Sequence, residues 1–538
     1  MNSSRTSVLP SRTSVLPTLA DLRSLTRSPA RDLLCGLTVA VVALPLALGF
    51  GVSSGLGAAA GLTTAVVAGA LAALFGGSAR QVSGPTGAMT VVLVPIVHRY
   101  GADGVLTVGL LAGVLLIGLA FARAGAAMAY VPAPVIAGFT LGIAAVIALQ
   151  QVPNALGVPL PHGEQVAAVA ARAVEEFTRT PHWPALLLAV CSAAAVVAGA
   201  RWKPAVPFSL AAVAAATAVA EALHLDVHRI GALPAVLPEP SLGFLDVARV
   251  PSLLAPAAAV AALAALESLL SASVADAMRP GERHAPGKEL FGQGIANLAA
   301  PLFGGVPATG AIARTAVNVR TGAASRLAAL AHAVILAGIV AALAPLVGRI
   351  PLAALAGVLL GTAVRMVETD AVRAMARATR GDALVLVLTA AATLALDLVR
   401  AVLIGLAVSV LLALRAAVRS TRLTPAAADE LPGASGTVTY RFDGPLLFAA
   451  AHRFRRALAE VHGVTAVELR LSGLTAVDAT GALALKEAVQ ELRGRGVEVR
   501  VSGVGPEHRR VLESLGVIPE VPRPNRGAIP SATAAPAS

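Results

Sequence analysis

The sequence is poor in charge, in aromatic residues and in cysteine. Of its 538 residues only 13% are charged and 3% are aromatic, whereas 56% are hydrophobic and the mean hydropathy is +0.77. A domain surrounded by water could not bury so much apolar surface, so a soluble fold is excluded for most of the chain. The composition is typical of a protein that spans a membrane many times.

Cysteine and histidine form no pattern that indicates a metal site or an active site. Cys35 and Cys191 lie in or beside apolar segments, and neither has a second Cys or a His at the spacing of metal ligands. We therefore expect no disulfide framework, no cofactor and no enzyme activity. The net charge of +12 is spread over the connections between apolar segments, which argues against a nucleic-acid partner.

A long series of apolar blocks runs from about residue 33 to about residue 417. A bilayer span needs about 20 residues, which leaves room for up to about 14 spans if several are short or broken. Basic residues such as Arg123, Arg201 and Arg373 fall in alternate connections, which predicts that these connections are cytoplasmic. With an even number of spans, both termini of this inner-membrane protein are cytoplasmic.

Two stretches of the chain share a short motif. A shift of 223 residues, from 86 to 309, brings "SGPTGAMTVVL" (83–93) near "PATGAIARTAV" (307–317), so that Thr-Gly-Ala recurs at 86–88 and 309–311. The same shift sets "LPLALGF" (44–50) against "ESLLSAS" (267–273). Apolar segments that Gly and Pro interrupt at matching positions of two halves indicate a transporter built from repeats.

Each Thr-Gly-Ala motif predicts a helix that begins about halfway through the membrane. The free N–H groups of its first turn, after Pro85 and after Pro307, carry the positive end of the helix dipole into a shared cavity. Arg314 lies one helical turn after Gly310, and an arginine at the centre of a span costs about 2.5–3.5 kcal/mol unless it faces a cavity or a partner. We expect a cationic pocket for anions. The alternative is an arginine that extends to the cytoplasmic surface.

Glu267 lies within the apolar run "AALAALESLLSASVADAM" (261–278). A carboxylate inside the membrane indicates a functional role, either in taking up a proton or in helping to hold a sodium ion. Ser271 lies four residues later on the same helix face and could supply a further oxygen. The alternative is a structural ion bridge between Glu267 and Arg314.

The sequence resembles the SulP family, the bacterial sulfate permease-like relatives of the animal SLC26 anion transporters. The resemblance covers about residues 30–521, and it depends on "LPLALGFGVSSGL", "VSGPTGAMTVV", "ALESLLSASVADAM" and "KELFGQGIANLAAPLFGGVPATGAIARTAVN". It implies an all-α polytopic membrane protein of 14 segments, arranged as two inverted seven-segment repeats with a core domain and a gate domain. It also implies a homodimer, and an elevator movement that carries an anion between the third and tenth segments.

The same resemblance implies which residues contact the substrate. They are Phe50 on the first segment, Thr86, Gly87 and Ala88 at the third, and Thr309, Gly310, Ala311 and Arg314 at the tenth.

One departure concerns Pro45-Leu46, where many members have Pro-Gln, so a polar contact to the substrate is missing. "LPLALGFG" is closer to bicarbonate and dicarboxylate transporters. In a sodium-driven bicarbonate branch the position of Glu267 is an aspartate, which leaves sodium and proton coupling open.

The composition changes after Arg422. Strand-like "TVTYRF" (437–442), "VTAVELRL" (464–471) and "VEVRVSG" (497–503) alternate with helical "AAHRFRRALAEV" (450–461), "GALALKEAVQEL" (481–492) and "PEHRRVLESLG" (506–516), which predicts a small α/β domain. "LSGLTAVDATGALALKEAVQELRGRGVEV" resembles a STAS domain, a regulatory cytoplasmic appendage. Asp478 is expected to cap the next helix. Thr480 matches a position that is phosphorylated in some relatives, although an unmodified threonine is the simpler interpretation.

The sequence thus predicts a flexible tail (1–30), a transmembrane anion-transport domain (31–420), a STAS domain (430–521) and a disordered tail (522–538). The leading hypothesis is a secondary active transporter of a small anion, bicarbonate or sulfate, coupled to Na⁺ or H⁺. The alternatives are a C4-dicarboxylate:H⁺ symporter, an uncoupled anion channel or exchanger, and a nucleobase symporter of the same architecture. The expected partners are the anion, the bilayer, a second copy of the chain and a cytoplasmic regulator.

Overall fold

The computed structural model describes residues 15–16, 28–126, 131–159, 165–203, 206–234, 236–279, 283–396, 398–425, 437–448, 456, 458 and 463–519. The predicted tails, 1–30 and 522–538, lie outside these residues apart from 15–16 and 28–30. The chain forms two compact units, Met1–Ala407 and Val408–Ser538. The first is helical, and the second contains a β-sheet.

Fifteen α-helices are found in the described residues up to Ser420, and the last of them extends into the second unit. In chain order they are α1 (Pro29–Ser53), α2 (Ala58–Phe75), α3 (Gly87–Phe121), α4 (Ala133–Leu156), α5 (Val166–Arg179), α6 (Trp183–Trp202), α7 (Phe208–Ala222), α8 (Val250–Met278), α9 (Pro286–Ala299), α10 (Ile312–Arg320), α11 (Leu327–Gly348), α12 (Leu352–Met366), α13 (Thr369–Ala378), α14 (Arg380–Ala395) and α15 (Leu398–Ser420). Two short strands, β1 (Ser83–Gly84) and β2 (Thr309–Gly310), precede α3 and α10.

Nine helical stretches among the described residues are long and apolar enough to cross a membrane. The longest helix, α3, has 35 residues, or about 52 Å of helix, which exceeds a hydrocarbon core of about 30 Å. Its backbone leaves the helical conformation at Gly101, where φ is 71°, so α3 comprises two consecutive segments. With the shorter helices α7, α9, α10 and α14, the described part of the chain has the fourteen predicted segments. The charged helix α5 is not among them, and α13 is the end of the apolar stretch that begins with α12.

The two halves of this unit begin corresponding helices at a nearly constant spacing. The pairs of first residues are Pro29 and Val250, Ala58 and Pro286, and Gly87 and Ile312. Their spacings of 221, 228 and 225 residues lie close to the shift of 223 that the sequence predicts. The antiparallel pairing of β1 with β2 matches an inverted relation between the halves.

The helices pack as two groups. We call α1, α2, α3, α8, α9, α10 and α11 the core group, because each packs mainly against other members of this set. The gate group consists of α4, α6, α7, α12 and α14, which likewise pack against one another. The groups meet where α1 and α3 of the core group contact α4, α7 and α12 of the gate group.

The second unit has a four-stranded sheet. Its strands are β3 (Arg422–Pro425), β4 (Thr437–Leu446), β5 (Ala466–Val477) and β6 (Glu498–Ser502), in that spatial order. β3 pairs antiparallel with β4, and the other neighbours are parallel. Helices α16 (Ala479–Gly494) and α17 (Pro506–Ser514) follow β5 and β6. The predicted alternation is therefore confirmed, except that β3 was not predicted and the helix at 450–461 lies largely outside the described residues.

Strand β5 separates an apolar face from a polar face. Val467 and Leu469 are buried in the core of this unit, whereas Glu468 lies on the opposite face between its neighbours in β4 and β6. The Ser502 hydroxyl donates to Glu468 Oε1 at 2.7 Å. This hydrogen bond lowers the pKa of Glu468 below its ordinary value against the opposing effect of burial, and the charge of Arg470 acts in the same direction.

The lowered pKa predicts how the stability of this unit depends on pH. A carboxyl group with a lowered pKa in the folded state stabilises the fold above its unfolded pKa of about 4.3, and this contribution is lost as the pH falls through the folded pKa. Glu468→Gln should therefore lower the melting temperature of a purified 421–538 fragment by about 2–4 °C at pH 7. Circular dichroism should find that the difference disappears as the pH falls through the folded pKa of Glu468. A difference independent of pH would show that the charge is not responsible.

Candidate functional site

The two predicted turns meet as a short antiparallel strand pair inside the core group. Ser83 lies opposite Gly310 and Gly84 opposite Thr309, and Ala311 N donates to Val82 O at 2.8 Å. Two-residue strands are too short to be stable alone. Here α8 holds the pair from one side, because Gly310 N donates to Ser268 Oγ at 2.9 Å. The strand pair brings the first residues of α3 and α10 together.

Asn297 fixes the approach to the second turn. Its amide accepts a hydrogen bond from Ala308 N at 2.8 Å and donates one to Ala308 O at 2.9 Å, so the side chain pairs with the backbone as a strand would. Asn297 is fully buried on α9. The turn is therefore held in place by a side chain of the same half of the protein, ahead of β2.

Glu267 joins the two turns through one of its oxygens. Thr86 Oγ1 and Thr309 Oγ1 each donate to Glu267 Oε2 at 2.9 Å, and all three side chains are buried. Each threonine comes from the Thr-Gly-Ala motif of a different half, and Glu267 comes from α8. The shared carboxylate oxygen therefore links three helices at the point where two of them begin.

Arg314 is only 1% exposed, and its guanidinium extends back to the first turn. Its Nη2 donates to Pro85 O at 2.6 Å, whereas Nη1 has no hydrogen-bond partner among the described residues. A Cβ atom on Gly84 would lie 2.7 Å from Nη1, so this glycine makes room for the charge. In the described part of the chain, Arg314 and Glu267 form no ion pair with each other. One donor of the guanidinium is thus available to an anion.

The first turns of α3 and α10 present free backbone donors. No acceptor among the described residues takes the N–H groups of Gly87 and Ala88 in α3 or of Ile312 and Ala313 in α10. Such groups carry the positive end of the helix dipole, worth about half an elementary charge per helix. Together with Arg314 they form an environment that favours a small oxyanion.

The remaining predicted residues lie around these helix starts. Phe50 is buried on α1, and its ring contacts the position of Gly87, where a Cβ atom would lie 3.1 Å from Phe50 Cε1. Ala88 and Ala311 are buried beside the same two helix starts. Ser271 donates to Thr315 Oγ1 at 2.9 Å, and this oxygen also accepts from Val82 N, so Ser271 supports the strand pair one helical turn away from Glu267.

Several buried polar residues around the site were missed in the sequence. In the described part of the chain, Gln81 has no partner for either amide atom, and it lies against Gly310, where a Cβ atom would be 2.0 Å from Gln81 Nε2. Gln293 donates to Ser83 Oγ and to Glu289 Oε1. His332 is fully buried on α11. His332 stands in an apolar segment, the signal that identified Glu267, whereas Gln81 and Gln293 stand in mixed sequence without such a signal.

The predicted regulatory residue, Thr480, is exposed in the first turn of α16. Asp478 caps this helix as expected, because its Oδ1 accepts from Gly481 N at 2.7 Å and its Oδ2 from Phe448 N at 2.8 Å. The hydroxyl of Thr480 is thus accessible, and its modification stays a prediction.

Similar proteins are known for nearly the whole chain. YvdB of Bacillus subtilis is 34% identical over 504 residues, which cover 91% of this chain and 94% of that protein. The bicarbonate transporter BicA of Synechocystis is 31% identical over 519 residues, 92% of both chains. The "Probable sulfate transporter Rv1739c" of Mycobacterium tuberculosis is 30% identical over 518 residues, 91% of this chain and 92% of that protein.

Two solved structures share the fold. The transmembrane domain of a cyanobacterial bicarbonate transporter BicA superposes with a TM-score of 0.64 at 31% identity, covering 74% of this chain and all of that one. Murine Slc26a9 in its inward-facing state superposes with a TM-score of 0.82 at 17% identity, covering 94% of this chain and 90% of that chain.

Two family models match successive parts of the chain. The profile described as the sulfate permease family matches residues 30–389, and that of the STAS domain matches residues 428–527. Proteins of this family are transporters and not enzymes. The two helices that begin inside the protein, the carboxylate that links them and these matches all agree. The chain belongs to the sulfate permease family of membrane anion transporters, and it carries a C-terminal STAS domain.

Proposed function

We propose that the protein is a secondary active transporter of bicarbonate or sulfate, coupled to a sodium ion or a proton that acts at Glu267. The observation that carries the proposal is the oxygen of Glu267 that accepts hydrogen bonds from Thr86 and Thr309. Because both threonines stand next to the free amides of α3 and α10, a change of charge at Glu267 acts on both parts of the anion site at once.

The anion binds between the first turns of α3 and α10. The N–H groups of Gly87, Ala88, Ile312 and Ala313 and the free Nη1 of Arg314 donate to its oxygens. A compact oxyanion suits these donors because they lie around one strand pair. The relatives named for bicarbonate and for sulfate support both substrates.

The cation acts by neutralising the carboxylate. An ionised Glu267 close to the anion site repels the substrate, so a proton on the carboxyl group, or a sodium ion held by its oxygens and the two threonine hydroxyls, favours anion binding. Because a cation and an anion that stabilise each other bind together, a gradient of the cation drives accumulation of the anion. Ser271 supports this arrangement through Thr315 and the strand pair.

The core group carries the anion across the membrane by moving against the gate group. All the proposed anion contacts lie on helices of the core group, so this group can move as a unit while α4 and α12 stay in place.

We place the protein in the cytoplasmic membrane with both termini in the cytoplasm, since fourteen segments return the chain to its starting side. A homodimer, and a regulator that binds the STAS domain, complete the proposal.

Two alternatives make different demands on the same residues. A C4-dicarboxylate:H⁺ symporter needs space for a longer anion between α3 and α10. An uncoupled channel or exchanger needs no carboxylate at Glu267, and a sodium or pH gradient does not drive accumulation of its substrate.

Replacement of Arg314 tests the anion site. In proteoliposomes, labelled bicarbonate, sulfate and succinate are offered under a sodium gradient or a pH gradient alone, and we expect the unchanged protein to accumulate bicarbonate or sulfate. Arg314→Ala removes a charged donor, and saturable uptake should fall by more than about 10-fold. Arg320→Ala, at the exposed end of the same helix, is the control and should transport normally. Normal saturable uptake by Arg314→Ala would refute the site.

Replacement of Glu267 tests the coupling. Glu267→Gln keeps an oxygen that accepts from Thr86 and Thr309 but removes the charge, so the helix starts should stay in place. We expect the variant to exchange labelled anion for unlabelled anion and to lose all gradient-driven accumulation. The control is Glu221→Gln, on α7, where the carboxylate pairs with Arg229. Gradient-driven accumulation by Glu267→Gln would contradict the proposal that the coupling cation acts at Glu267.

A further inference from the structure

The start of α3 is covered by a side chain of the gate group. Ile147 on α4 is 2% exposed and lies directly against Gly87, where a Cβ atom would be 2.2 Å from Ile147 Cδ1. Phe50 contacts the same position from α1, at 3.1 Å from Cε1. Two apolar side chains, one from each helix group, thus pack beside the residue that carries the first free amide of the proposed anion site.

Two hydrogen bonds fix α4 against the core group at this point. Thr90 Oγ1 donates to Gln150 Oε1 at 3.3 Å, and Gln151 Nε2 donates to Ser53 Oγ at 2.9 Å. Gln150 lies three residues after Ile147 and therefore on the same side of α4. The position of Ile147 over Gly87 is held by polar contacts to α1 and α3, in a helix whose sequence is otherwise nearly all apolar.

We propose that Ile147 determines which anions are transported, by limiting the size of the anion that fits at the start of α3. The proposal rests on the proposed function. An apolar side chain makes no hydrogen bond to the substrate, so it discriminates by volume, and one methylene group in such a pocket changes selectivity by about 10-fold or more. A compact oxyanion fits below Ile147, whereas a C4-dicarboxylate has a carbon chain that must enter the space of its side chain.

This role explains why Gly87 lacks a side chain. Any Cβ atom at Gly87 occupies the space of Ile147 Cδ1 and also approaches Phe50. A substrate that meets the backbone N–H of Gly87 must therefore fit beside these two side chains. The substrate size is set from two sides, by Phe50 on the moving group and by Ile147 on the gate group.

Graded truncation of Ile147 tests the proposal in the full-length protein. The measured quantity is the ratio of the uptake rate of labelled succinate to that of labelled bicarbonate or sulfate, whichever the unchanged protein transports. We expect this ratio to rise by about 10-fold in Ile147→Val, which removes one methylene group, and by a larger factor in Ile147→Ala. Ile143→Ala is the matched control, since Ile143 lies one turn earlier on α4 and is equally buried, and its ratio should not change. An unchanged ratio in both Ile147 variants would overturn the proposal.

A rescue experiment distinguishes a specific effect of Ile147 on the site from a general loss of stability in its variants. Gly87→Ala should reduce uptake because its methyl group collides with Ile147, and Gly87→Ala combined with Ile147→Ala should restore it. Gly87→Ala combined with Ile143→Ala should not restore uptake. If both double variants restored uptake equally, the contact between Gly87 and Ile147 would not be specific. If the unchanged protein accumulates neither bicarbonate nor sulfate, the proposed function fails. If it does and the ratio is insensitive to Ile147, the function stands and only the size limit fails.

Discussion

The organisation of the core group depends on a buried carboxylate that two halves of the protein share. A carboxylate in an apolar interior is expensive unless it is hydrogen-bonded, and Glu267 obtains its two donors from threonines 223 residues apart in sequence. Those threonines can reach it only if both helices start inside the protein and side by side. The antiparallel strand pair holds the two helix starts together. The hydrogen bond that Ser268 accepts and those of Asn297 hold the second turn in position.

The same constraint explains the glycines of the two turns. Arg314 crosses from the second half to lie on Gly84 of the first turn, and Gln81 crosses from the first half to lie on Gly310 of the second. Each half places a polar side chain where the other half has no Cβ atom. The inverted repeat is thus visible in reciprocal close contacts, and not only in helix order. A methyl group at either glycine would push a buried polar side chain away from the turn it contacts.

The sequence predicted the parts of the site that carry local signals. Thr86, Thr309 and Arg314 stand in a recurring motif, and Glu267 is a charge in an apolar run, so the fourteen segments and these residues were accessible without coordinates. The strand pair could not be predicted, because a strand of two residues is too short to show the alternation of apolar and polar residues that identifies a strand. Ile147 gave no signal either, since an isoleucine in an apolar helix is ordinary, and only the distance to Gly87 distinguishes it. The charged and hydrogen-bonding residues of the proposed site could be predicted from residue type, whereas the proposed size limit at Ile147 could be inferred only from tertiary contacts.

The boundary between the two helix groups has the properties that a sliding surface needs. At Gly49 and Gly87 the core group presents backbone without side chains, and the gate group presents Leu359 and Ile147 against them. Apolar contacts of this kind form again at a new position with little loss, because dispersion does not depend on a particular partner. The hydrogen bonds of Gln150 and Gln151 do depend on their partners, and breaking one inside the protein costs about 1–3 kcal/mol. In the proposed transport cycle, the resistance to movement is therefore concentrated within one turn of Ile147, so that the proposed size limit and the start of the proposed movement lie at the same place.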